Sequence, residues 1–258
     1  MNGRIRFKDN PWKDGHIIEE FSLRALLHED GVGLMMHLRT ADYDDDYAPY
    51  RQIKGDDYDD WRDPDAWRQL DCAIISSVHW GYDPRCLPPM VSHDDKLDAS
   101  LTGFHTFAFN HSEENDDLFF DEDDQMFSAT ILGADRVLDH QILLEKDPMT
   151  GLFRVEWSGG VSLGYAGETE ATHSFIAHID DVAFEGFQID SPEDWHSSWG
   201  RRQLHTQNTQ HPSLEMREAR ARRLAKTWLK NAKSLEFVRG ETPSSDYLVG
   251  NLADDIPF

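Results

Sequence analysis

The chain reads as a mainly β protein: an antiparallel β-sandwich or barrel-like body, one C-terminal amphipathic basic helix, and a flexible acidic tail. Three features lead there. Short apolar runs alternate with polar residues, as in FHTFAFNH (104–111), where Phe104, Thr106 and Ala108 fall on one face and His105, Phe107 and Phe109 on the other. Gly and Asp punctuate these runs at the spacing of an all-β fold rather than of β–α–β units. Helical periodicity is confined to one segment after residue 190.

Taken in order, FSLRALL (21–27) and LMMHLRT (34–40) make two strands around HEDGVG, whose Asp and Gly suit a tight turn. WRQLDCAIISSVHW (67–80) holds a β-branched run long enough for another strand. FHTFAFNH follows, then MFSATIL (126–132), VLDHQILLEK (137–146), a turn at DPMTG, and LFRVEWS (152–158). VSLGY, HSFIAHI and VAFEGFQI carry the pattern to Ile189. LLHED-GVGL (26–34) and LLEKDPMTGL (143–152) share a Leu pair, an acidic turn entry and Gly-Leu at the second strand. A duplicated β unit explains that likeness, and so does hairpin chemistry alone.

After residue 190, SPEDWHSSWG and RRQLHTQNTQHPS read as a connection. Residues 213–237 read as a helix, with Pro212 before it, Ser213 as N-cap and Glu215 in the first turn. Leu214, Ala221, Leu224, Ala225, Trp228 and Leu229 gather toward one face, with Arg and Lys elsewhere, and Ala232 and Leu235 continue the stripe. GETPSSDYLVGNLADDIPF is rich in turn formers and reads as a flexible tail. The organisation is an acidic β-rich domain at 1–200, a basic linker and helix at 201–239, and a tail at 240–258.

Charge sharpens this division. The 258 residues carry 25 Lys+Arg against 49 Asp+Glu, a net of −24. That balance argues against gripping a phosphate backbone over the whole surface and against docking on anionic lipid. Residues 201–239 hold ten basic and three acidic residues, a charge of +7, and 240–258 hold four acidic residues. Residues 1–200 therefore carry −27. Ten Asp lie between Asp42 and Asp65, and eight acids between Glu113 and Asp124; both runs read as solvated loops. No stretch of about 18 apolar residues is present, so a membrane partner is not expected. The start, MNGRIRFKDNPWKDG, lacks the apolar core of a signal peptide, which makes cytoplasm the expected compartment. Cys72 and Cys86 make no disulfide framework and are expected as reduced thiols.

The most specific signal is the last five residues, Asp254, Asp255, Ile256, Pro257 and Phe258. Phe258 offers an aromatic ring for an apolar pocket together with a carboxylate for Arg or Lys. Pro257 lowers the ordering cost, Ile256 adds apolar area, and the two aspartates face a basic rim. This end closely resembles the C-terminal tip of bacterial single-stranded DNA-binding protein (SSB). The resemblance covers these five residues. It implies docking on the DNA repair, recombination and replication proteins that take the SSB tip. The body departs from that family: its DNA-binding domain is a small OB-fold with basic and aromatic positions, whereas residues 1–200 here are strongly acidic.

Other constellations carry less. Asp42, Asp44 and Asp46 have the first spacings of a calcium loop, but Tyr47 and Ile53 stand where Gly and Glu belong. A looser cation site from Asp56, Asp59, Asp121 or Asp124, or a metal pair built on His93 and Asp94, is weaker than a solvated-loop reading. No phosphate-binding Gly loop, nucleophile elbow or zinc spacing is present, so no catalytic residue, metal or cofactor is assigned. Eight Trp in an acidic β body suit a sugar-binding sandwich, but core and edge packing is their usual role. On the basic helix Arg217, Arg220, Arg223, Lys226 and Lys230 are the candidate nucleic-acid contacts, set against pairing with the acidic body. The expected function is a non-enzymatic interaction protein of DNA replication, recombination and repair. It would dock through its tip and act as a DNA mimic or inhibitor of phage or mobile-element origin. The alternative is a divergent single-stranded DNA-binding protein.

Overall fold

The computed structural model describes residues 1–42, 60–68, 72–77, 89–91, 96–109, 126–164, 167–168, 170–189, 212–241 and 245–250. In chain order the elements are β1 (Asn2–Phe7), β2 (His16–His28), β3 (Gly31–Thr40), a helical turn at Asp60–Arg62, α1 (Pro64–Arg68), β4 (Ile74–Ser77) and β5 (Pro89–Val91). Next come β6 (Phe104–Phe109), β7 (Phe127–Thr130), β8 (Ala134–Lys146), β9 (Phe153–Ser162), β10 (His173–Val182) and β11 (Phe184–Ile189). The basic helix α2 (Leu214–Trp228), β12 (Leu235–Val238) and β13 (Tyr247–Gly250) follow.

Eight strands close into an antiparallel barrel, which decides between the sandwich and barrel readings. β1 to β4 form one meander and β7 to β10 a second; β4 pairs with β7, and β10 returns to β1 over Asn2↔Asp180 to Phe7↔Phe175. The two hairpins that share the Leu-pair and Gly-Leu pattern, β2–β3 and β8–β9, are the central pair of their meanders. An eight-stranded barrel is just wide enough for side chains to fill it. Alternation does this, sending Ile5, Phe7, Leu38, Trp157, Phe175 and Ile179 inward, all of them buried.

One rim is plugged by α1 and the turn before it. Trp61 and Trp67 are fully buried there beside Phe7 and His16. The Trp61 indole N–H donates to the Lys8 carbonyl (2.8 Å), that of Trp67 donates to the Trp61 carbonyl (2.8 Å), and Trp61 stacks on His173 at 4.0 Å. No helix was expected before residue 190. α1 has only five residues, too few to persist by propensity, and the burial of two indoles holds it.

Strand length extends the sheet beyond the barrel. His16 and Ile17 at the start of β2 pair with β1, while Leu23–Leu27 on the same strand take β11 in parallel register. β13 then pairs with β11, and β12 with β13. β5 joins β3, and β6 joins β8. Among the described residues no helix is long and apolar enough to cross a membrane. Cys72 is a free thiol.

The C-terminal elements depart from expectation in two places. The helix stops at Trp228 rather than continuing to 237. Leu229 is extended, and the Trp228 carbonyl accepts from the Leu97 amide (2.9 Å) while the Lys230 amide donates to the Leu97 carbonyl (2.9 Å). These tertiary bonds replace the next helical turn, and Leu235, on the expected helical stripe, opens β12 instead. The segment read as a tail begins with a strand: Tyr247–Gly250 is bonded on both edges, to β11 and β12. Period-2 packing of Leu248 into the core outweighs the surrounding turn formers.

A bulge in β8 sets the chemistry of the core. Val137 points inward, Asp139 adopts a left-handed φ of 51°, and the pairing shifts between Leu138 and Gln141, so His140 turns inward too. The His140 Nδ1 accepts the Trp157 indole N–H (3.1 Å), and Phe127 lies 4.6 Å away between ring centroids. Burial lowers the His140 and His16 imidazoles from 6.5 to about 4. Both are therefore neutral in the folded chain at neutral pH. Between 6.5 and 4 the unfolded chain binds the extra protons, so stability falls as pH drops through that window, by about 3 kcal/mol per imidazole. Urea midpoints measured from pH 7 to pH 4 should fall steeply for the native chain and less steeply for His140→Phe.

Candidate interaction site at the C-terminal segment

The basic helix owes its start to its cap and its position to an apolar stripe. The Ser213 hydroxyl accepts from the Met216 amide (3.3 Å), as the sequence suggests, and Glu215 sits in the positive first turn. Ala221, Leu224, Ala225 and Trp228 are buried at helical spacing, whereas Leu214 is exposed. The Trp228 indole donates to the His28 carbonyl (2.8 Å), which ties α2 to the end of β2.

Three of the five candidate nucleic-acid contacts are committed to carboxylates. Arg223 grips Glu29 with both terminal nitrogens (2.7 and 2.8 Å), and Arg220 approaches the same carboxylate at 3.5 Å. The hydrogen bond from Arg223, with the positive charge of both arginines, holds the Glu29 carboxyl below its usual range. Arg217 binds Asp246 through Nε (2.6 Å) and a terminal nitrogen. Lys226 and Lys230 are exposed, and the Lys226 carbonyl accepts from Lys96 (2.6 Å). The five thus form no common face: two meet at the β2–β3 turn, one is drawn under β13, and two face solvent. Among the described residues α2 pairs with the body through Glu29 and with the C-terminal segment through Asp246. The Asp-rich runs at 43–59 and 111–125 lie outside the described residues.

Asp246 is the residue that sequence reading missed. It is 2% exposed. One carboxylate oxygen also accepts the Gly240 amide (3.0 Å), and its carbonyl accepts the Ile189 amide (2.9 Å). It therefore joins α2, β11 and β13 at one point. The only sequence signal is an acid just before a short apolar run, a signal that the surrounding polar residues mask.

β13 ends at Gly250, paired with Leu235 of β12. Asp254, Asp255, Ile256, Pro257 and Phe258 come after Asn251, Leu252 and Ala253 and lie outside the described residues, as do Asp56, Asp59, His93, Asp94, Asp121 and Asp124. A fully extended chain advances at most about 3.5 Å per residue, so a partner that takes the tip is held within about 28 Å of Gly250. Among the described residues no group of three or more His, Cys, Asp or Glu side chains could hold a metal ion. The eight-stranded meander also differs from the five-stranded Greek-key barrel of an OB-fold. No protein-family model matches the chain, and neither a curated protein nor a solved structure matches it.

Removing one partner of a buried ion pair leaves the other charge without compensation. Asp246→Ala and Arg217→Ala should each lower unfolding stability by about 3–5 kcal/mol in urea titrations. The paired replacement Arg217→Met with Asp246→Leu should recover most of that loss.

Proposed function

We propose that this chain is a cytoplasmic, non-enzymatic interaction protein of DNA replication, recombination and repair. It docks through Asp254–Phe258 on proteins that take the SSB C-terminal tip. The observation that carries the reading is the DDIPF sequence itself, which joins two carboxylates, an apolar pair and a terminal aromatic residue in one short hook. Support comes from what precedes it: β13 is bonded on two edges and the residue before it, Asp246, is tied to α2, so the chain is firmly held as far as Gly250. The strongly acidic body suits a DNA mimic that competes for the basic surface of such a partner, as expected of a phage or mobile-element inhibitor.

Engagement of Arg217, Arg220 and Arg223 with carboxylates favours protein docking over direct binding of single-stranded DNA by the helix. Titration calorimetry against a purified SSB-tip-binding protein tests the proposal. Truncating residues 254–258, or Phe258→Ala, should weaken binding about 30-fold, as expected for an aromatic anchor. Unchanged affinity would overturn the docking reading. Tight, steeply salt-dependent shifts of oligonucleotides would instead favour the DNA-binding alternative.

A further inference from the structure

We propose that β6 is the contact edge of a two-fold dimer, in which it pairs antiparallel with β6 of a second copy of this chain. Among the described residues three strands have a neighbour on one side only: β5, β6 and β12. An open edge invites another strand, and proteins block it with proline, charge, shortness or a covering side chain. β5 has three residues and begins with Pro89, which has no N–H to offer. β12 has four residues; Arg222 donates to its Leu235 carbonyl (3.4 Å), and the Leu235 amide is turned back onto the Ala232 carbonyl. β6 is six residues long and carries neither charge nor proline.

The ladder fixes which main-chain groups β6 presents. The Lys146 amide donates to the Gly103 carbonyl (3.4 Å), so in the unbroken register with β8 the residues bonded to that strand are Gly103, His105, Phe107 and Phe109. The Asp147 amide donates to the Leu152 carbonyl (2.9 Å), which gives β8 the same parity from its other side. Phe104, Thr106 and Ala108 therefore turn their N–H and C=O groups to the open edge. Among the described residues nothing bonds to them there.

This edge is complementary to itself. Centred on Thr106, an antiparallel two-fold sets residue 104 opposite Ala108 of the second copy, Thr106 opposite Thr106, and Ala108 opposite residue 104, so every open position has groups to exchange. Sliding either strand by two residues leaves one of these positions with no strand residue opposite it. His105 then faces Phe107 of the second copy in a non-bonded pair, where side chains approach most closely, and both are half-buried. Thr106 and Ala108 are exposed and lie on the other face, where a Thr–Thr pair is favourable. An unrelated extended peptide would use the same main-chain groups without these side-chain matches. Charge opposes the pairing, since each chain carries −24, the acidic run from Glu113 starts four residues past Phe109, and Glu145 flanks residue 104. Contact is thus confined to a neutral edge, association is weak, and salt strengthens it by screening. An ion-paired interface has the opposite sign.

Sedimentation of the full chain across a concentration series, at low and at high sodium chloride, tests it. A monomer–dimer equilibrium that stops at two copies is expected, stronger at high salt. Thr106→Pro removes an outward N–H from each copy without touching the β6–β8 ladder, and should weaken association about 10-fold. Thr106→Glu sets like charges directly opposite at the two-fold and should weaken it similarly; it serves if the proline variant fails to fold by circular dichroism. Thr106→Cys should give a disulfide-linked dimer on mild oxidation, because bonded antiparallel pairs lie about 5.5 Å apart between Cα atoms, within reach of a disulfide. The native chain, with Cys72 and Cys86, and Thr102→Cys, which the two-fold places opposite residue 110, should not cross-link. A monomer at every concentration and salt, or association that neither Thr106→Pro nor Thr106→Glu changes, would overturn the proposal, as would equal cross-linking of Thr102→Cys and Thr106→Cys. Removing residues 254–258 should leave association unchanged, so this result and that for tip docking are independent.

Discussion

Strand β2 holds the molecule together because its thirteen residues serve three neighbours. Its start pairs with β1 and Ile18–His28 with β3, two of the ladders that close the barrel. Its second half binds β11 and so carries β13 and β12. The turn at its end supplies the His28 carbonyl to Trp228 and Glu29 to Arg220 and Arg223. A shorter β2 could still close a barrel, but it would leave the C-terminal segment without a sheet to join or a turn to clamp. The position of Gly250, where β13 ends, depends on that one strand.

Electrostatics then divides the labour. Most of the acidic residues lie in stretches between the strands rather than in them. Where cations meet acids inside the fold the bonds are few and specific: Arg217 with Asp246 under β13, and two arginines on Glu29. The pair at Asp246 is nearly fully buried, so it works as a fastener that tolerates no single-sided loss. The pairs at Glu29 are half exposed, and their value lies in orientation rather than in energy. The core adds a different constraint, since two neutral imidazoles sit among aromatic rings and penalise acidic conditions.

Most of the sheet was legible because period-2 alternation is a local property: β2, β3, β6, β7, β8, β9, β10 and β11 all fall where alternating runs lie. The cap and buried stripe of α2 were legible for the same reason. β1 went unread since its polar partners are Arg and Lys in a stretch that also holds Asn and Asp. His140 could not be assigned a side because a single bulge inverts the parity that alternation relies on. The end of α2 was missed because Leu229, Ala232 and Leu235 satisfy a helical stripe as well as an extended one, and only contact with Leu97 chooses between them.

The amino-acid sequence by itself determined the β class, the helix and its cap, the uneven charge and the DDIPF ending at residues 254–258, since each is written in neighbouring residues. Closure of the barrel, the strand at Tyr247–Gly250 and the partners of the helical arginines were decided only in three dimensions. Each of these depends on residues far apart in the chain, as Arg217 and Asp246 or Glu29 and Arg223 are. A local pattern states what a residue can do; the fold selects which distant group it meets.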